Sequence, residues 1–149
     1  PALHKARLGF TNVVFHPQFE GPVGYFTLAN DAIKLNNFEQ LELGFGEHVE
    51  LAAFPAVKIG RLAVHQDLHR KGVGVVLMTL LLGDILNTAG LSAARLIVVD
   101  ADNDDAVLRF YEKLGFETSL WAEEMARNHT KKRAKPQTIK MHRDVFKGL

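Results

Sequence analysis

Cysteine is absent from the 149 residues. That excludes disulfides, thiolate metal sites and a cysteine nucleophile, and it fits a reducing compartment, so the cytoplasm is expected. Long apolar runs are also absent. The longest, Val73 to Leu82, stops at Gly83-Asp84 and is about half the length of a membrane span, so no membrane segment is expected. The opening Pro1-Ala2-Leu3-His4-Lys5 contains no apolar stretch of the kind a secretory signal needs. It also lacks an initiator Met, so the first residues of the natural protein are expected to be missing. Acidic residues are scarce only near the end: residues 121–149 hold 3 Asp and Glu against 8 Lys and Arg, a balance of +5, while residues 1–120 carry −4. The tail is either a place for a polyanion to dock or a solvated basic surface.

With 47% hydrophobic residues, the chain can bury a core without staples, and 1–149 is expected to be one globular domain. Thr11–Phe15 and Val23–Ala29 read as strands of a hairpin, because β-branched and aromatic residues cluster there and Pro17, Gly21 and Pro22 punctuate the connection. Residues 1–8 suggest no more than the end of a helix. Residues 32–54 are mixed, with Leu35, Phe38, Leu41 and Leu43 compatible with a short helix or a lid. Val57–Val64 reads as an apolar strand interrupted by Lys58, Gly60 and Arg61, and a glycine in a strand marks a bulge or a close backbone approach. A helix is predicted from Gly72 to Thr88, closed by Gly90, then a buried strand over Arg95–Val99 and a helix over Asp104–Leu114 with Gly115 as its C′ residue. Late strands are expected at Phe116–Leu120 and Thr138–Val145, separated by a basic insertion over 121–136 whose first half is helix-compatible. The order predicts a mixed α/β sheet with helices on both faces.

Strand 57–64 leads through a polar turn into His69-Arg70-Lys71-Gly72-Val73-Gly74-Val75, which opens a helix. Glycine lets the backbone tighten, and the first N–H groups of the helix have no partner within it, so the loop is suited to an anion, best a phosphate. Leu77 stands where a dinucleotide fingerprint has its third glycine, and no glycine-lysine-serine/threonine ending supports a P-loop. His65-x-x-x-His69 has zinc-protease spacing but Gln66 in place of the glutamate base, so these are read as ordinary histidines and no metal is expected. Asp100-x-Asp102-x-Asp104 imitates a calcium loop, yet Asp105 holds the glycine position and Tyr111 the twelfth. The acids are read instead as residues of a helix N-terminus.

Together with Asp104-Asp105-Ala106-Val107-Leu108-Arg109-Phe110-Tyr111-Glu112-Lys113-Leu114-Gly115-Phe116, this loop resembles the GCN5-related N-acetyltransferase (GNAT) superfamily over about residues 23–145. The resemblance implies a central sheet splayed between two parallel strands and acetyl-CoA as acetyl donor. It implies that Leu62, Ala63 and Val64 offer backbone to the pantetheine arm. His69, Arg70, Lys71, Gly72, Val73, Gly74 and Val75 would hold the diphosphate, with Asp104 or its neighbour Asn103 near the cofactor. Tyr111 would be the general acid for the departing thiolate; a buried aromatic is its ordinary alternative. The family usually has Arg or Gln at His69, glycine at Arg70 and Asn at Asp104.

A narrower resemblance is to the acetyltransferase toxins of bacterial toxin–antitoxin pairs, carried by Gly24-Tyr25-Phe26-Thr27-Leu28, by Phe54 to Val64 and by Asp104-Asp105 ahead of Phe110-Tyr111. It implies transfer to the α-amine of aminoacyl-tRNA, control by a small antitoxin and compatibility with a homodimer. Arg61, Arg127, Lys131, Lys132 and Arg133 are the expected substrate contacts. Strand 57–64 has no glutamate base, which suits an amine that titrates near 7.7–8. The 121–136 insertion is longer than that group leads one to expect. A small-molecule or protein amine remains the rival acceptor, and a non-catalytic CoA-binding module the rival class.

Overall fold

The computed structural model describes residues 2–46, 48–87, 93–129 and 135–148. A short helix α1 (Ala2–Lys5) precedes strands β1 (Phe10–Phe15) and β2 (Pro22–Ile33), helix α2 (Asn37–Glu42) and strand β3 (Phe54–Val64). Helix α3 (Val73–Asn87), strand β4 (Leu96–Asp102), helix α4 (Asp105–Lys113), strand β5 (Glu117–Thr118), helix α5 (Leu120–His129) and strand β6 (Thr138–Asp144) complete the chain. The strands form one six-stranded sheet in the order β1-β2-β3-β4-β6-β5. Among the described residues only the central β3/β4 pair is parallel; the other pairings are antiparallel. The expected mixed α/β architecture is present.

Local signals set most of these elements. Asn36 and Glu39 form a reciprocal capping box at the start of α2. Asp104 caps α4 by accepting from the N–H groups of Ala106 and Val107, and Gly115 takes a φ of 83° just past its end. The expected bulge falls at Gly60: Ile59 pairs with Leu28 and Arg61 with Thr27, so Gly60 is the extra residue.

Helices α3 and α4 cover one face, where Phe26, Ile59, Met78, Leu81, Leu82, Ile97, Val99, Leu114 and Phe116 are buried together. Each such side chain contributes about 1.5–3 kcal/mol on leaving water. The opposite face carries a smaller core of Ile33, Leu35, Phe54, Ala56, Leu96 and Val98, with Leu43 and Phe45 packed against it.

Four expectations are corrected. Strand β2 does not stop at Ala29 but runs to Ile33, because Asn30 and Asp31 pair with Val57 and Ala56. The last expected residue of the first late strand, Leu120, begins α5 instead. Asp100 and Asp102 lie in β4 rather than at a helix start. Arg143, within the basic tail, is 1% exposed, and its guanidinium donates to the carbonyls of Leu114, Asp144, Lys147 and Gly148. The proposed helix end at Gly90 lies outside the described residues.

Candidate acyl-transfer cleft

Strands β3 and β4 pair only from Ala56↔Leu96 to Ile59↔Val99, although β3 continues to Val64 and β4 to Asp102. Beyond the last pair they part. The bulge at Gly60 lies just where they separate, and a bulge bends its strand and increases local twist. The β4 side stays in register with β6 as far as Asp102↔Thr138, so the edge β3 presents toward β4 loses its strand partner over residues 60–64. Leu62, Ala63 and Val64 lie on that stretch.

The end of β3 is tightly packed. A Cβ on Gly24 would lie 2.6 Å from both the Ala63 carbonyl oxygen and Leu77 Cδ1, so β2, β3 and α3 meet with no room for a methyl group. At Gly74 a Cβ would stand 3.4 Å from the Phe110 ring and 3.8 Å from a Val64 methyl. The first turn of α3 is thereby seated on α4 and on the end of β3.

Between them the backbone turns sharply. The His65 N–H donates to the Val23 carbonyl, and His65 Nδ1 accepts from the Asp67 N–H of a 3-10 turn over Gln66–Leu68. His69 Nε2 lies 2.8 Å from the Val64 carbonyl oxygen, tying the loop to the strand end. Both histidines of the zinc-like spacing are thus occupied with backbone. Arg70 has a φ of 59° and Gly72 one of 76°, the left-handed region that favours glycine. Helix α3 makes its first internal bond from the Val76 N–H to the Gly72 carbonyl, so the N–H groups of Val73, Gly74 and Val75 have no carbonyl within the helix and lie at its positive end. Arg70 and Lys71 are exposed and have no ion-pair partner among the described residues.

Tyr111 lies on α4, half-buried against Phe110 and Phe116 at centroid distances of 5.2 and 5.4 Å. Its hydroxyl has no hydrogen-bond partner among the described residues. Burial and the nearby Asp102 carboxylate push the phenol up from its ordinary value, which keeps the proton on Oη at neutral pH. Asp104 is occupied as the α4 cap, while Asn103 Nδ2 donates to the Pro136 carbonyl.

On the opposite face, Arg61 is exposed and in register with Thr27. Earlier on the same strand Lys58 pairs with the Asp100 carboxylate, which Lys140 of β6 also holds, at 2.9 Å. Burial opposes the charge on Asp100, but its bonds to the two lysines outweigh this and hold it below the usual carboxylate range. Arg127 is exposed on α5 and pairs with Glu123 at 3.4 Å, away from this cluster in sequence; Lys131, Lys132 and Arg133 lie outside the described residues. The Lys58–Asp100–Lys140 cluster escaped sequence reasoning. Its one visible signal was a lysine inside an apolar strand.

The strand pair opens midway, a loop leads from the end of β3 into the start of α3, and the Tyr111 phenol feels the charge of Asp102 at the end of β4. The acetyltransferase (GNAT) domain model matches residues 23–118, and the chain belongs to this family. No curated protein matches. Among solved structures the fold is similar to AtaT complexed with acetyl-methionyl-tRNAfMet, at TM-score 0.69 and 15% identity over 97% of this chain and 75% of that one. It is also similar to AtaTR bound with AcCoA, at TM-score 0.66 and 16% identity over 97% and 74%, and to the KacTA–DNA complex, at TM-score 0.62 and 15% identity over 97% and 72%. Among the described residues no helix is long and apolar enough to cross a membrane.

Proposed function

We propose that this chain is an acetyl-CoA-dependent N-acetyltransferase, acting as one domain in the cytoplasm, whose acceptor is the α-amine of aminoacyl-tRNA. The observation that carries the reading is the parting of β3 and β4 beyond Ile59 and Val99, with unpaired α3 N–H groups on one side and Arg61 on the other. Acetyl-CoA supplies an acetyl thioester, an acyl group already activated toward an amine. The residues present fit it: the left-handed Gly72, the N–H groups of Val73 to Val75 and the cations of Arg70 and Lys71 suit a diphosphate. Leu62, Ala63 and Val64 would hold the pantetheine arm through their backbone.

Tyr111 keeps its proton on Oη and would give it to the departing sulfur. Asp104 would act indirectly, by fixing the helix that carries Tyr111. His69 would hold the loop against Val64, leaving the charged contacts to Arg70 and Lys71. Arg61 and the basic run with Arg127, Lys131, Lys132 and Arg133 would meet acceptor phosphates. An α-amine near pKa 7.7–8 is substantially neutral at physiological pH and needs no strong base, in keeping with the depressed Asp100. A small antitoxin is the expected regulator, as neighbours of this fold include AtaT bound to the C-terminus of the antitoxin AtaR; a homodimer is compatible with the reading. Incubation with radiolabelled acetyl-CoA and a pool of charged tRNAs should put label on aminoacyl-tRNA. Label appearing only on free amines or proteins would refute the acceptor assignment.

A further inference from the structure

Helix α5 has no fully buried residue; Leu120, Trp121, Ala122 and Met125 are half-buried. Its N-terminus is fastened by a carboxylate from another element. Glu39 of α2 is 4% exposed and accepts from the N–H groups of Leu120 at 2.8 Å and Trp121 at 3.3 Å, while also bonding the Asn36 N–H and His142 Nε2 at 3.1 Å. These are among the donors a helix start leaves without partners. Ser119 supplies a second cap through Oγ to the Ala122 N–H, and its own N–H reaches the carbonyl of Lys140, the residue whose ammonium pairs with Asp100. Asn36 Nδ2 also donates to Glu124, near the same end of the helix. The first turn of α5 is therefore held against the start of α2 and, through Ser119, against β6 at Lys140, whose ammonium pairs with Asp100.

The first turn of α5 carries the chain's one tryptophan. Trp121 is half-buried, with Lys34 Nζ 5.2 Å from its ring centroid. An indole beside a lysine, on a helix followed by a basic run, is the combination that stacks a base and pairs a phosphate.

Resting on the acceptor reading above, we propose that α5 is the nucleic-acid platform of the acceptor side. Trp121 stacks an unpaired base of the tRNA end, Lys34 meets its backbone, and Glu39 is the positioning residue that holds the first turn of the helix on the sheet. The single indole gives a direct assay: adding charged tRNA to the wild-type chain should quench its fluorescence, whereas acetyl-CoA alone should not. In steady-state kinetics, Trp121→Ala and Glu39→Gln should each lower kcat/KM for charged tRNA relative to an amino acid amide by about tenfold, the loss of one stacked base, with the KM for acetyl-CoA unmoved. If Glu39→Gln does not fold, Trp121→Ala, on a helix without fully buried residues, carries the test. Product on charged tRNA with no quenching, an unchanged acceptor ratio, or an equal loss with both acceptors overturns this inference alone. No product on charged tRNA from the wild-type chain overturns the acceptor reading and this inference with it.

Discussion

On the α3/α4 face of the sheet, contact is made by side chains such as Met78, Leu81 and Phe116, all 2% exposed or less. On the α2/α5 face the small core gives way to charged groups that bond over long stretches of chain: Glu39 with His142 across 103 residues, Lys58 with Asp100 across 42. The first face is rigid by packing, which is non-directional and tolerant of volume-conserving exchange. The second is specified by directional bonds, where losing one partner strands the other. On the function proposed above, the unvarying donor would be served by the first kind of surface, and an acceptor that must be distinguished from other amines would call for the second.

The largest expected effect breaks the packed side at its chemistry. Tyr111→Phe leaves the ring contacts with Phe110 and Phe116 in place but removes the proton, so kcat with a good acceptor amine should fall by about 100-fold or more while the thermal midpoint stays near wild type; an unchanged kcat would assign the acid elsewhere. Next, Gly24→Ala drives a methyl group into Ala63 and Leu77 and should cost about 1–3 kcal/mol in urea unfolding, with weakened acetyl-CoA binding. The same exchange at Gly60, where a Cβ meets nothing closer than 3.8 Å, should cost far less.

Acid should reveal the polar side. Asp100 and Asp144 are both held below the ordinary carboxylate value, Asp100 by its bonds to Lys58 and Lys140 against the opposing effect of burial, Asp144 chiefly by its bond to Arg95. A depressed folded-state value means their stabilisation is complete above the unfolded value near 3.8 and is lost as pH falls through the folded one. Unfolding followed from pH 6 down to pH 2 should therefore show an acid limb that flattens in Asp100→Asn and Asp144→Asn. The smallest effect has two signs. Arg70→Gly relieves a left-handed φ of 59° but adds unfolded-state freedom, so stability should change by less than about 1 kcal/mol. Calorimetry should nonetheless show weaker binding of CoA, because the loop loses a cation.

The two faces also differ in how far the sequence reveals them. The β3–loop–α3 run and the Asp104-capped helix were legible because bulge, turn and cap signals are local, lying within a few residues of what they control. The charged face was not. Asp100 reads as one of a row of acids, and only the register of β4 against β6 brings Lys140 opposite it. Arg143 reads as part of a basic tail, yet it is buried because carbonyls at the end of α4 and in the final turn need a donor. Glu39 lies in a stretch that reads only as a short helix or a lid, and nothing near it announces α5.

The extra residue at Gly60 has a consequence for how this sequence can change over time. Side chains alternate along a strand, so the residue count fixes which way each one points. With the bulge, Ile59 and Leu62 both join the α3/α4 core, and Arg61 is left for the other side. Were the bulge flattened and Gly60 given a regular place in the strand, Arg61 to Val64 would invert, turning a cation inward and an apolar side chain out. A descendant of this chain could therefore lose Gly60 itself and keep Ile59 and Arg61 on their present faces, whereas one that gained a residue elsewhere in the strand would need a second change to restore the parity.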